Sequence, residues 1–334
     1  MYRLRSRTIL SIAGLAVAAL LAACGEEGQS GTEAPDPAAE GEGCAPVAGE
    51  QLVVLEDDQM WQTAENIVPA VHEDAATPEL LAALNAVSAA LDTSTLIELN
   101  KAVDIDRETP EQVAADFADA EGLTDGIDDG GSGGVDIVTA GFSESRTLGY
   151  LYQIALRAAG FDPEVRTVDS RELYAPELQS GAAQVVPEYA GTLTEFLNGQ
   201  LNGADPEPLA SSDIGDTMTE LTALGEQVGL VFGEPSEAAN TNAFAVTEDF
   251  AQEYGVSTLT ELAENCSGSE TILGGPPECP ERPFCQVGLE DVYGLSAGDF
   301  ASLDAGGPLT KEALRSGEIS VGLVFTTDGD LAQG

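Results

Sequence analysis

From Gln51 onward, apolar residues fall alternately into short runs and helical stripes. Leu52-Val53-Val54-Leu55, closed by the acidic turn Glu56-Asp57-Asp58, predicts a strand, and Ile67-Val68-Pro69-Ala70-Val71 predicts a second. Pro69 points to a sheet edge, because it has no N–H to give a neighbouring strand. Thr77-Pro78 then reads as N-cap and first helical position, with Leu80, Leu81, Leu84, Val87 and Leu91 following at helical spacing. Thr109-Pro110-Glu111-Gln112 repeats the signal as a capping box, and Val113 and Phe117 supply the buried face.

Residues 124–134 (TDGIDDGGSGG) interrupt this pattern with five glycines and three aspartates, and read as a linker. Their acidic positions do not fall in the alternate order of a calcium loop. Beyond them a new alternation begins. Strands are expected at 137–140, 163–168, 183–186, 230–232, 243–246 and 319–325, and helices at 144–159, 171–180, 191–197 and 214–228. Such alternation predicts α/β lobes with mostly parallel sheets. No internal repeat is visible.

The N-terminus follows different rules. Arg3, Arg5 and Arg7 precede an apolar run from Ile9 to Leu21, too short to span a bilayer, which ends in Leu21-Ala22-Ala23-Cys24-Gly25. This reads as a lipoprotein signal peptide (1–23) with a lipobox, so Cys24 is expected to carry lipid and anchor the chain on the extracytoplasmic face of the cell membrane. Residues 24–50, rich in Gly, Glu, Ala and Pro, are expected to be a flexible spacer.

The formal net charge of −47, from 59 Asp and Glu against 12 Lys and Arg, argues against nucleic acid and anionic lipid surfaces as partners. It reads first as a solvation device of a salt-adapted surface, compatible with attraction of a cationic ligand. Beyond Cys24 four cysteines remain. In an oxidising compartment they imply two disulfides among three possible pairings. A local Cys279–Cys285 bridge across a Pro-rich loop is the cheapest, leaving Cys44 with Cys266 by elimination. The spacing is not that of a zinc site, and no metal or cofactor is expected. The catalytic inventory is poor. His72 is the only histidine, so a hydrolase would have to be built on it, and no Gly-rich phosphate loop follows a strand. A non-enzymatic binding module is the better class.

Several segments together resemble the substrate-binding proteins of glycine betaine/choline (osmoprotectant) ABC transporters. They are Leu52 to Asp58, Gly141-Phe142-Ser143-Glu144-Ser145, Val186-Pro187-Glu188-Tyr189-Ala190-Gly191-Thr192, Asn242 to Thr247 before Asp249-Phe250, Val292-Tyr293-Gly294-Leu295, and Phe325-Thr326-Thr327-Asp328-Gly329. The resemblance implies an α/β, two-lobed periplasmic-binding-protein-like (type II) fold with a ligand cleft between the lobes. The segment order differs from the family's. Residues 51–123 resemble its C-terminal part, so the resemblance implies a circularly permuted order in which 124–134 joins the usual end to the usual beginning. On that reading 51–123 and 135–186 form lobe 1, 187–324 form lobe 2, and 325–334 return to lobe 1. The implied ligand is a quaternary-amine solute such as glycine betaine or choline, with another small amine or zwitterion as the alternative, delivered to an ABC permease by a monomeric receptor. Tyr189, Phe244 and Phe325 match cage aromatics, and two of them are Phe where Tyr is common. Phe142, within the Gly141-to-Ser145 segment, is a further ligand-binding candidate. Ser143, Glu144 and Ser145 begin a helix whose N–H and hydroxyl groups suit a ligand carboxylate, and Thr327 and Asp328 lie at the expected interlobe crossing.

Overall fold

The computed structural model describes residues 41–168, 170–203, 206–282 and 284–331; the signal peptide and Cys24 lie outside them. Ten strands form two five-stranded sheets. They are β1 (Leu52–Leu55), β2 (Ile67–His72), β3 (Gly134–Thr139), β4 (Asp162–Thr167), β5 (Val185–Tyr189), β6 (Leu230–Phe232), β7 (Asn242–Thr247), β8 (Gly268–Gly275), β9 (Ala297–Ser302) and β10 (Val321–Phe325). Lobe 1 holds the sheet β4-β3-β5-β2-β6, and lobe 2 holds β1-β7-β10-β8-β9.

Helices cover both faces of each sheet. On lobe 1, α1 (Pro78–Ala90), α2 (Thr93–Asp104), α3 (Pro110–Glu121) and α4 (Ser143–Ala158) enclose one core with Ile67, Val71, Ile137 and Val185. On the opposite face α5 (Arg171–Gln179), α6 (Ala190–Asn202) and α7 (Ile214–Gly225) enclose another with Val68, Ala70, Val138 and Val186. The successive residues Ile67 and Val68, or Ile137 and Val138, thus feed opposite cores, as the two-residue period of a strand requires. On lobe 2, α8 (Glu248–Tyr254) and α9 (Leu259–Cys266) contribute Phe250, Leu259 and Leu262 to one core, while α11 (Pro308–Ser316), beyond the single turn α10 (Gln286–Gly288), contributes Ala313 and Leu314 to the other. Thr77 and Thr109 cap their helices by accepting the N–H groups of Leu80 and Gln112, at 3.2 and 3.3 Å.

The two sheets share one topology when strands are counted from β3 instead of from the N-terminus. In each, the second, first and third strands lie side by side and parallel, followed by an antiparallel strand and then a fourth. In lobe 1 these are β4, β3, β5, then β2 and β6; in lobe 2 they are β9, β8, β10, then β7 and β1. The antiparallel strand of each lobe is the one that has just crossed from the other.

Three expectations are corrected. Pro69 is not at an edge, since β2 lies between β5 and β6. It stands opposite Pro187, so neither strand misses an N–H across that pair, and its carbonyl accepts the Gly233 N–H at 2.9 Å. The lobe boundary expected at 186/187 falls inside β5, and α6, α7 and β6 stay with lobe 1, while β1, expected in lobe 1, pairs with β7 of lobe 2. The expected spacer does not run to residue 50 as a loose tether. Glu42 bridges to Gly268, Cys44 is bonded to Cys266, and the carbonyls of Cys44 and Val47 accept the hydroxyls of Ser320 and Thr247, each at 2.8 Å. Strands β8 and β9 and helices α2, α8, α9 and α11 were not anticipated. Gly-rich β8 and Asp-containing β9 carry no clean alternation.

The Cys44–Cys266 bond spans 222 residues of sequence, a closure for which the chain-entropy account gives roughly 5 kcal/mol. Replacing both cysteines by Ser is expected to lower the calorimetric melting midpoint by on the order of 10 °C. An unchanged midpoint would show that the N-terminal segment is held by its hydrogen bonds alone.

Candidate ligand-binding site

Both sheets turn the carboxyl ends of their parallel strands toward one cleft of about 1390 Å³, the usual ligand position in open α/β sheets. From lobe 1 it is lined by residues following β3 and β5, and from lobe 2 by residues at the start of β7 and the end of β10. Two crossing segments meet at its floor. Ile67 N–H donates to Ala238 O and Asn240 N–H to Glu65 O, both at 3.0 Å, with a bridge between Asn66 and Ala239. A third segment joins them where Thr326 N–H reaches Thr241 O at 3.0 Å and Thr326 Oγ1 donates to Ala239 O at 2.8 Å.

Glu144 is the polar centre. It belongs to the first turn of α4, where a negative charge suits the helix dipole, yet its residue is only 3% exposed. Tyr189 Oη donates to its Oε1 at 2.5 Å, Asn240 Nδ2 to Oε1 at 2.8 Å, and Asn100 Nδ2 to Oε2 at 2.6 Å. Asn100 also donates to Thr327 O at 2.8 Å. No Lys or Arg pairs with Glu144 among the described residues. The amide orientations follow from these contacts, since a flipped Asn would set its oxygen against a carboxylate. The Oδ1 atoms of Asn100 and Asn240 are consequently buried without a donor. Burial first, and then Glu144, hold the Tyr189 phenol well above its usual range, so it remains a donor.

The aromatic expectations divide. Tyr189, Phe142 and Phe325 line the cleft. Phe142, 46% exposed, lies with its ring centroid 6.2 Å from that of Tyr189. Phe244 is corrected: it is 1% exposed, faces Leu55 and Leu323 in the lobe 2 core, and is covered by Trp61 at 6.1 Å. Trp61 arrives from the first crossing segment, which a strand-by-strand reading does not place over β7. Ser143, Ser145, Thr327 and Asp328 line the cleft, and the side chains of Ser143, Ser145 and Asp328 and the carbonyl of Thr327 already have partners. Ser145 Oγ accepts the Ala140 N–H at 2.9 Å, Ser143 Oγ donates to Asp104 at 3.0 Å, and the Thr327 carbonyl takes Asn100. Asp328 accepts Lys311 Nζ on both oxygens, at 2.9 and 3.0 Å.

Sequence reading missed several residues here. Asn100 sits on the unanticipated α2, and Asn240 precedes β7. Phe284, beside Cys285, lines the lobe 2 side. Arg171 is paired with buried Glu188 at 2.7 Å and donates to Thr192 Oγ1 at 3.0 Å. Glu65, on the first crossing segment, accepts the Thr192 N–H and the Thr63 hydroxyl, each at 3.0 Å. A Cβ on Gly191 would come within 2.7 Å of Glu65 Oε1, so glycine is what admits this carboxylate to the start of α6. His72 lies elsewhere. It ends β2, away from the crossing by roughly 17 Å of strand, and its Nδ1 accepts the Asp74 N–H at 3.3 Å. The four cysteines form Cys44–Cys266 and Cys279–Cys285, which leaves no thiolate for zinc among them.

A family model, the substrate binding domain of ABC-type glycine betaine transport system, matches residues 46–120 and 133–333. A glycine-betaine-binding protein of Pseudomonas aeruginosa (strain PAO1) is 30% identical over 199 residues, 57% of this chain. The match covers 61% of that relative, so the chain spans about three fifths of its length. Among solved structures, a glycine betaine/carnitine/choline ABC transporter structure is 22% identical, with 60% of this chain and 70% of that one covered and a TM-score of 0.45. NikA from Brucella suis in complex with Fe(III)-EDTA is 17% identical, with 60% and 49% covered and a TM-score of 0.31.

Burial, only partly countered by the Thr192 N–H, the Thr63 hydroxyl and the Arg171 charge, pushes the Glu65 pKa up to about 7 from 4.5. The folded chain therefore holds a proton that the unfolded chain has lost between these values, and stability falls as pH rises through that window. The contribution is about 3 kcal/mol. Glu65→Gln is expected to match wild type near pH 4.5 and to exceed it at pH 8 in denaturant titrations. Parallel stability–pH curves for the two proteins would refute this.

Proposed function

We propose that this chain, which belongs to the family of substrate-binding domains of ABC-type glycine betaine transport systems, is an extracytoplasmic solute receptor. It takes a quaternary-amine osmoprotectant, such as glycine betaine or choline, into the interlobe cleft and delivers it to an ABC permease. The family is one of transport binding domains and not of enzymes. A trimethylammonium group is permanently charged and donates no strong hydrogen bond, so its recognition relies on aromatic faces and carboxylates.

The observation that carries the reading is the meeting of Tyr189 and Phe142 with the cation-free carboxylate of Glu144 in one cleft. Each aromatic face contributes roughly 0.5–2 kcal/mol to a desolvated cation. Phe325 extends the aromatic surface from lobe 2. Closure about the paired crossing segments brings the two walls onto the solute. The high negative charge of the chain raises the local concentration of cations and is tolerable in a salt-loaded setting.

The permuted order belongs to the same proposal. It is supported by the two matched blocks, which leave out residues 121–132, and by the common sheet topology counted from β3. The linker itself is fitted to its place: the Gly131 N–H donates to Ala159 O at 2.8 Å, and a Cβ there would lie 2.3 Å from the Phe161 ring. The receptor acts as a monomer, lipid-anchored through Cys24, which rests on the Leu-Ala-Ala-Cys motif. Its described part begins on lobe 2.

Calorimetric titration with glycine betaine, choline, carnitine and ectoine tests the reading. At least one quaternary amine is expected to bind, and Tyr189→Ala to weaken that binding by about tenfold or more. Absence of binding to every quaternary amine would reject the function. An unaffected Tyr189→Ala would reject the aromatic site alone.

A further inference from the structure

The lobe 2 wall of the cleft ends in an aromatic stack that begins in the core. Trp61, the chain's only tryptophan, lies between Phe244, at 6.1 Å and 16°, and Phe284, at 6.2 Å and 27°. Tyr293 meets its edge at 6.1 Å. Trp61 is fixed from below. Asp57 accepts the N–H groups of Trp61 and Gln62 at 3.0 and 2.9 Å, and also the Tyr293 hydroxyl. The Phe244 end is buried, whereas the Phe284 end is half-buried and lines the cleft.

Among the described residues, Phe284 is held on this stack by its ring contact with Trp61, by long hydrogen bonds to its carbonyl and by the covalent bond of its neighbour. Its carbonyl accepts from Gln62 Nε2 and Asn242 Nδ2, both at 3.4 Å, near the limit of a useful hydrogen bond. The next residue, Cys285, is bonded to Cys279, and both are buried beside the end of β8, where a Cβ on Gly275 would lie 3.4 Å from Cys279 Sγ. The bond closes a short loop against the core, so it limits where residue 284 can go.

We propose that Phe284 is a ligand-contacting residue of the cleft and that the Cys279–Cys285 bond is the element that positions it, so that affinity depends on this disulfide. The inference rests on the reading of the cleft as a quaternary-amine site. Lobe 1 presents Tyr189 and Phe142, and Phe284 supplies a π face from the opposite side. Removing one such face costs a cation on the order of tenfold in affinity.

The test is calorimetric titration of the detergent-solubilised full chain with choline and glycine betaine, with Trp61 emission followed in parallel. Phe284→Ala and the double variant Cys279→Ser with Cys285→Ser are each expected to weaken binding about tenfold. All three substitutions together should weaken it no further than either alone, because they remove the same contact. Phe284→Tyr should retain affinity. Cys44→Ser with Cys266→Ser, the structural control, should lower the melting temperature while leaving affinity within about twofold. Wild-type affinity in Phe284→Ala, or in the folded Cys279/Cys285 variant, would overturn the inference. Should that variant not fold, the comparison of Phe284→Ala with Phe284→Tyr decides. A wild-type protein that binds neither solute rejects the proposed function itself, and this inference with it.

Discussion

A carboxylate buried without a cation is the constraint on which the cleft depends. Removing Glu144 from water is costly unless its oxygens are hydrogen-bonded. The three donors come from β5, from α2 and from the crossing segment before β7. Each is thereby fixed relative to the start of α4. Asn100 carries the constraint further by holding the Thr327 carbonyl, and Gly329, on the same return segment, approaches so near that a Cβ would lie 2.6 Å from Lys101 N. A single carboxylate thus ties the floor of the cleft to helices and to both crossings.

Three of the cations that line the cleft are held by other carboxylates. Arg171 is held by Glu188, Lys311 by Asp328 and Asp330, and Arg315 by Asp330. In a chain with 12 basic residues against 59 acidic ones, most carboxylates have no cation to pair with. Exposed ones are solvated by water. Glu144 and Glu65 are not, and they meet the cost differently. Glu144 is enclosed by three side-chain donors. Glu65 receives one backbone N–H and one hydroxyl, and its burial is relieved by retaining a proton up to about pH 7.

Much of the fold is legible in the residues. The cap-and-stripe signals at Thr77-Pro78 and Thr109-Pro110 and the apolar runs of β1, β2, β3 and β7 depend on local periodicity, which the sequence carries directly. Pro69 misleads because its consequence depends on what lies opposite, and Pro187 is distant in sequence. Phe244 misleads for a related reason. Inside an apolar strand, a core aromatic and a cage aromatic look alike until Trp61 is placed over one of them. The site was legible where a motif carried it, as with Glu144 and Tyr189. Asn100, Asn240 and Glu65 had no such signal, because each acts through a contact made across long sequence separations.

The aromatic groups of the two walls are held by different means, which bears on the affinity the proposed site can reach. On lobe 1 the Tyr189 ring is oriented by its hydrogen bond to Glu144 and accompanied by Phe142. On lobe 2 the stack is anchored in the core through Phe244 and Asp57, and its far end is fastened covalently at Cys279–Cys285. Tyr189 and Trp61 are thus ordered in the folded chain. Side-chain immobilisation commonly costs about 0.5–1.5 kcal/mol per group, comparable to the gain from one cation–π contact. With that cost met during folding for these rings, the proposed receptor would need mainly closure about the paired crossing segments. For the proposed quaternary-amine solute, the weak individual attractions of several π faces would then add up to useful affinity, since such a ligand offers almost no hydrogen bonds.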